Sequence, residues 1–327
     1  MINFKPQIGP YAHSNNSTTT IMYHVVLALM PAVCVAGLRF GPSAIRVVIA
    51  CVVAAVLAEV VCLSLQRKPL RNALDGSAIL TGLILALSLP AHFQTELCVL
   101  GALFCIVVGK QAYGGLGQNI FNPAMLGRVF LLICFPVQMT DWSAPYAGEV
   151  QSAAEWLSYD GVSAATVLSR SISTPTINEL LTGKMSGSIG EVHSIWLLLG
   201  GIYLLYRRIV TPAIPLCFFI GLLFPALVAN LFQPEQFLAP HIHMFSGAAV
   251  LCAFFIATDM VTSPSSTKGQ MIYGLLCGGL VWLIREVGSY PEGVAFAVLI
   301  VNAVSPLIDH YIQPKRFGSS KQFVEEK

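Results

Sequence analysis

Ten stretches of this chain are apolar for long enough to cross a lipid bilayer, and no other feature narrows its possible folds as much. A hydrocarbon core of about 30 Å needs ~20 helical residues, or ~17 when a span is short. By that measure the spans fall at residues 21–39, 44–65, 74–90, 95–110, 121–138, 193–210, 212–232, 244–262, 270–287 and 293–311. Composition agrees: with 55% hydrophobic residues, 10% charged residues and a mean hydropathy of +0.72, the chain has too little polar surface to clothe a water-soluble globule. The expected fold is therefore an all-α integral membrane protein of about ten transmembrane helices with one long loop.

Charge narrows the function classes. A net charge of +2 with no clustered basic patch argues against nucleic acid as a partner. The nine cysteines lie within or beside apolar runs, and no two have the C-x-x-C spacing of a zinc or redox site, so they read as small hydrophobes and no metal ligands are assigned. The first twenty residues are polar and mostly uncharged, unlike a secretory signal, so the first apolar run is expected to be kept as a helix.

With the N-terminus placed in the cytoplasm, the inside segments hold 13 of the 18 basic residues, Lys110 and Arg128 among them. The outside segments hold the other 5, including Arg285. This asymmetry follows the positive-inside rule for an even number of spans with both ends cytoplasmic. The chain then divides into a cytoplasmic segment 1–20, five helices within 21–138, an extracytoplasmic loop 139–192, five helices within 193–311 and a cytoplasmic tail 312–327.

The loop 139–192 carries six acids (Asp141, Glu149, Glu155, Asp160, Glu179, Glu191) against two bases, a poor composition for lipid. It contains Asp160-Gly161-Val162-Ser163-Ala164-Ala165-Thr166, a turn-forming pair followed by small and hydroxylated residues. Small side chains let a bulky phosphorylated group approach the backbone, and a threonine hydroxyl can be esterified through phosphate. On composition alone a solvated Ser/Thr-rich turn is the simpler reading.

This run resembles the flavinylation motif of a family of membrane subunits, the D subunits of Rnf complexes and the B subunits of Na⁺-pumping NADH:quinone oxidoreductases. In outline that motif is Asp-x-x-Ser/Thr-Gly-Ala-Thr, so Ala164 stands where the family usually has glycine. Other stretches are similar in the same order: His13-Ser14-Asn15-Asn16-Ser17-Thr18, Leu74-Asp75-Gly76-Ser77-Ala78 with Thr81-Gly82-Leu83, Gly117-Gln118-Asn119-Ile120-Phe121-Asn122-Pro123-Ala124, and Ala257-Thr258-Asp259. The N-terminal part is short, which resembles the Rnf D side of the family, and no quinone site is expected.

The resemblance implies a subunit of an ion-translocating ferredoxin:NAD⁺ oxidoreductase in the bacterial cytoplasmic (inner) membrane, not catalytic by itself. It implies covalent FMN attached through phosphate to Thr166 by a flavin transferase, with Asp160, Gly161, Ser163 and Ala165 forming the motif around it. A second, non-covalent riboflavin inside the bundle is also implied. Electrons would pass between ferredoxin and NAD(H) through iron–sulfur, second flavinylated and small membrane subunits, coupled to Na⁺ or H⁺ movement. Thr174 and Thr176 are rival attachment points, although Pro175 between them suggests an extended turn.

Polar residues within the apolar runs are costly and draw separate readings. Asn119 and Asn122 follow the helix-breaking Gly114-Gly115-Leu116-Gly117 run, and one polar wall of the riboflavin site is placed there. Asp259 either caps a helix end or lines a flavin or cation pathway. Glu59 is too deep to face lipid and is expected to pair with a base on another helix, while Asp75 reads as a helix-start cap. Thr81 to Pro90 and Asn122-Pro123 resemble Phe255 to Pro264 and Asn302 to Pro306, five helices apart. An odd offset inverts the second copy, giving two inverted five-helix repeats. That scaffold also suits a channel or secondary transporter with no redox role, or a passive membrane scaffold, but neither explains the Thr166 segment.

Overall fold

The computed structural model describes residues 17–143, 163–164, 168, 179–180, 186–191, 194–288 and 292–314. Every apolar run becomes helical, but not every run becomes one helix. Six helical stretches are long and apolar enough to cross a membrane: Thr18–Phe40, Pro42–Leu65, Thr95–Tyr113, Ala213–Phe232, Thr267–Val287 and Val294–Tyr311. We label α1 (Thr18–Phe40), α2 (Pro42–Leu65), α3 (Ser77–Leu87), α4 (Thr95–Val107), α5 (Pro123–Cys134) and the short α6 (Pro136–Met139). A two-residue strand pair follows, β1 (Trp142–Ser143) with β2 (Ser163–Ala164). The chain continues with α7 (Ser194–Tyr206), α8 (Ala213–Phe232), α9 (Pro240–Phe245), α10 (Ala249–Leu251) running into a π-turn at Cys252–Ile256, α11 (Thr267–Val287) and α12 (Val294–Tyr311).

The helices start where sequence offers a cap or a proline. Ser17 Oγ accepts from Thr20 N, Asn122 Oδ1 from Ala124 N and Ser266 Oγ from Gly269 N, satisfying amides that have no partner within the helix. Pro42, Pro123, Pro136 and Pro240 occupy first helical positions, where a missing N–H costs nothing. The burial pattern is that of a membrane bundle. Leu27, Leu38, Ile49, Leu57, Leu199 and Leu216 are exposed, while Ala28, Ala32, Ala36, Ala54, Ala55 and Ala58 face inward. Small inward residues let helices approach closely where no water drives them together.

Among the described residues, three of the ten runs give shorter helices and one is broken, within the all-helical membrane fold expected. α3 has 11 residues, ~16 Å of rise and about half of the hydrocarbon thickness. The eighth run is interrupted at Ser246–Ala248, where Gly247 and Ala248 take φ of 63° and 56°. Left-handed backbone at two successive residues cannot continue a right-handed helix.

The two halves repeat the same pairings. α2 lies against α3 and α4, and α4 against α5; α8 lies against α9, the π-turn and α11, and α11 against α12. The halves meet through α1 with α7 and α5 with α12. Starts at Pro42, Ser77, Thr95 and Pro123 are matched 171 or 172 residues later at Ala213, Ala249, Thr267 and Val294. This register replaces the one read from Thr81/Phe255 and Asn122/Asn302. Asn122 caps the start of α5, whereas Asn302 lies buried inside α12, accepting from Tyr273 Oη at 2.7 Å. The short third helix and the broken eighth now coincide in the repeat, each opened by a positive-φ glycine, Gly76 and Gly247.

The α8–α11 seam is the closest approach. A Cβ at Gly278 would lie 2.0 Å from Phe218 O, backbone that cannot move aside. Gly278→Val is expected to lower stability by ~3 kcal/mol, the upper range for overpacking, read as a fall in thermal midpoint in detergent. Gly279→Val changes propensity equally, but its Cβ would meet only Gly221 O at 3.8 Å, so it should be nearly neutral.

Candidate functional site

Of the loop motif, Asp160, Gly161, Ala165 and Thr166 lie outside the described residues, as do Thr174 and Thr176. Ser163 and Ala164 form β2, antiparallel to β1 with Trp142 opposite Ala164 and Ser143 opposite Ser163. Leu168 is buried beside Gly247, where an added Cβ would come within 2.7 Å of its Cδ1. Further on, Ile189 N donates to Leu89 O (3.0 Å) and Gly190 N to Leu87 O (2.7 Å). Ser194 Oγ donates to Phe245 O at 2.8 Å. The described flanks of the loop thus satisfy carbonyls left open where α3 and α9 stop, groups that would otherwise be costly in an apolar bundle.

A charged group fills the same end of the bundle. Arg285 Nη1 donates to His243 O (2.8 Å), and its Nη2 donates to Ser246 O (2.9 Å) and to Gly247 O. A guanidinium at the C-terminus of α9 compensates both the open carbonyls and the negative end of the helix. His243 Nε2 lies 3.1 Å from Glu286 Oε1. Arg128, on α5, bonds Glu292 through Nη2 and lies 3.8 Å from Glu191 Oε1.

At the opposite end, the structure brings Asn119, Asn122 and Asp259 into the lining of one cleft, with Lys110, Thr81 and Thr258. Asn122 is committed twice, capping α5 through Oδ1 and reaching Ile256 O through Nδ2 at 3.4 Å. Asn119 Nδ2 donates to Phe121 O at 3.0 Å. Asp259 accepts from Val261 N (3.3 Å) and Thr262 Oγ1 (3.2 Å), so it caps the turn ending the eighth run while also forming cleft wall. The cleft volume is about 70 Å³, room for a few waters and short of the ~300 Å³ at the low end of small-molecule pockets. Gly114, Gly115 and Gly117 take positive φ and break the chain ahead of Asn119.

Beside the cleft, Glu59 meets its expected base. Lys110 Nζ lies 2.5 Å from Glu59 Oε1 and donates to Ser77 Oγ, and Gln111 Nε2 donates to the same carboxylate at 3.0 Å. Asp75 Oδ1 accepts from Ser77 N at 2.8 Å, as a helix-start cap does.

Sequence reading missed most of these partners and misplaced some. Lys110 and Arg128, assigned to the inside segments, and Arg285, assigned to the outside ones, are 1%, 3% and 9% exposed, and Glu191, grouped with the loop acids that fit lipid poorly, is 8% exposed. Removing the three bases leaves eleven inside against four outside, and the asymmetry persists. The available signal was position: each sits within or next to an apolar run, where a lone charge demands a partner.

The model of the NQR2, RnfD, RnfE family matches residues 6–318. The chain is similar to the D subunit of the ion-translocating oxidoreductase complex of Escherichia fergusonii, 40% identical over 97% of this chain and 99% of that protein. The same-named subunits of Yersinia enterocolitica (40%, over 96% of this chain and 98% of that protein) and Escherichia coli K12 (39%, over 97% and 99%) are similar at nearly full length.

Proposed function

This chain belongs to the NQR2, RnfD, RnfE family, and from that premise we propose that it is the flavin-bearing membrane subunit of an Rnf-type electron-transport complex. It carries FMN covalently through phosphate on Thr166 and passes electrons between ferredoxin and NAD(H) partners, coupled to Na⁺ or H⁺ translocation. Membership in an ion-translocating oxidoreductase complex comes from full-length similarity to subunits of that name. The flavin rests on one observation, the Asp160–Thr166 motif within the region that the family model matches.

Bound flavin supplies one- and two-electron transfer. The chain's own part is to hold it, and the supporting geometry is the anchoring of Ser163–Ala164 by β1 and of Leu168 beside Gly247. Iron–sulfur, second flavinylated and small membrane subunits would be its partners, and a flavin transferase would load it.

A non-covalent riboflavin is proposed for the cleft at Asn119 and Asn122. The lining offers amide and hydroxyl groups suited to a ribityl chain, whereas the volume is that of a closed cleft, so binding requires it to widen. The paired halves with interrupted third and eighth helices also suit a channel or secondary transporter without redox role. In-gel flavin fluorescence separates the readings, since that alternative requires none.

The basic-residue asymmetry supports an inner-membrane orientation with both termini cytoplasmic and residues 139–192 outside. A cysteine placed near residue 150 is expected to react with an impermeant maleimide from outside, and one near residue 207 only after permeabilisation. The reverse labelling would invert the topology.

A further inference from the structure

Two carboxylates converge on Arg128. Glu292, just before α12, accepts from its Nη2, and Glu191, just before α7, places Oε1 3.8 Å from the same nitrogen. Glu191 Oε2 accepts from Ser188 N at 3.5 Å. Both residues are 8% exposed, and their carboxylates approach the same guanidinium nitrogen. Oε1 of each has no hydrogen-bond partner among the described residues. An ionised carboxylate only accepts. Neither acid can therefore donate to the other unless one of them carries a proton.

The surrounding charges lead to the same result. From α11, Arg285 is engaged by three carbonyls and makes no ion pair within 4 Å among the described residues, and Glu286 lies against His243 of α9. Arg128 is thus the one base within 4 Å of the two buried acids among the described residues, with Arg285 acting on them from farther off, and like charges crowded on one guanidinium resist ionising together.

We propose that Glu191 and Glu292 share one exchangeable proton on Arg128, forming a buried protonation site at the loop end of the bundle. Burial raises the Glu292 carboxyl above the usual range and Glu191 raises it further, while Arg128 and Arg285 oppose the rise. Only an O–H bond forms or breaks, and the proton exchanges with water at the loop end.

Infrared pH titration of the intact complex in detergent tests this directly. The wild type is expected to show a protonated-carboxyl band at neutral pH that shifts in D₂O and fades at alkaline pH. Glu191→Gln and Glu292→Gln each replace one acid by a neutral amide of similar shape that can donate to the other. Each variant is expected to lose that band. If one variant fails to assemble, the other decides. A neutral-pH band unchanged in an assembled variant, or no such band in the wild type, overturns the proposal.

Discussion

Thr166→Val is expected to abolish the flavin fluorescence of the denatured, gel-separated protein entirely, with the chain still in the membrane. Valine nearly matches threonine in shape but has no hydroxyl to esterify, so attachment should fail without a packing penalty. Denaturation separates the two proposed flavins. A phosphate-linked FMN stays with the band, whereas a non-covalent riboflavin leaves it and is recovered in the supernatant. Thr174→Val and Thr176→Val should leave the band as bright as the wild type. A fluorescent Thr166→Val band would move the attachment elsewhere. A dark wild-type band from cells with a working flavin transferase would remove the redox reading and leave the transporter alternative.

The second large effect belongs to the Glu59–Lys110 pair. Both side chains are almost completely buried, Glu59 Oε2 has no hydrogen-bond partner among the described residues, and Lys110 is the base in contact with this acid. Lys110→Met strands a buried carboxylate and is expected to cost ~3–5 kcal/mol, as breaking a buried pair from one side does. Glu59→Gln/Lys110→Met removes both charges and should recover most of that loss. The measurement is the thermal midpoint of the three proteins in one detergent and lipid mixture. A double variant no more stable than Lys110→Met would show that the pair is held by something other than mutual neutralisation.

Much of the architecture was legible along the chain. All ten apolar runs emerge as helical elements, because hydropathy is a property of contiguous residues and the lipid acts on each run separately. The helix start at Asp75 was readable for the same reason, its cap lying two residues away, whereas Asn122, read as part of a cofactor wall, proved to cap α5. The repeat was legible only as an idea. Its register came from helix starts and not from the residue matches, since Asn302 proved to be an interior residue bonded to Tyr273. The break at Gly247 and Ala248 was not anticipated, because the tertiary contact that stabilises it, Arg285, is supplied from another helix.

The sequence by itself determined the membrane class, the number of apolar runs, the position of the long loop and the motif at Thr166. Each is local, written in neighbouring residues. Only the tertiary structure decided which buried charges meet. Glu59 and Lys110 are 51 residues apart, Arg128 and Glu292 are 164 apart, and Arg285 reaches carbonyls 38 to 42 residues away. In a low-dielectric bundle a charge must find a counter-charge or an open carbonyl, but many groups along the chain could serve. Which one does is fixed by helix packing, and that packing turns bases read as topology markers into the buried charges at both ends of the bundle.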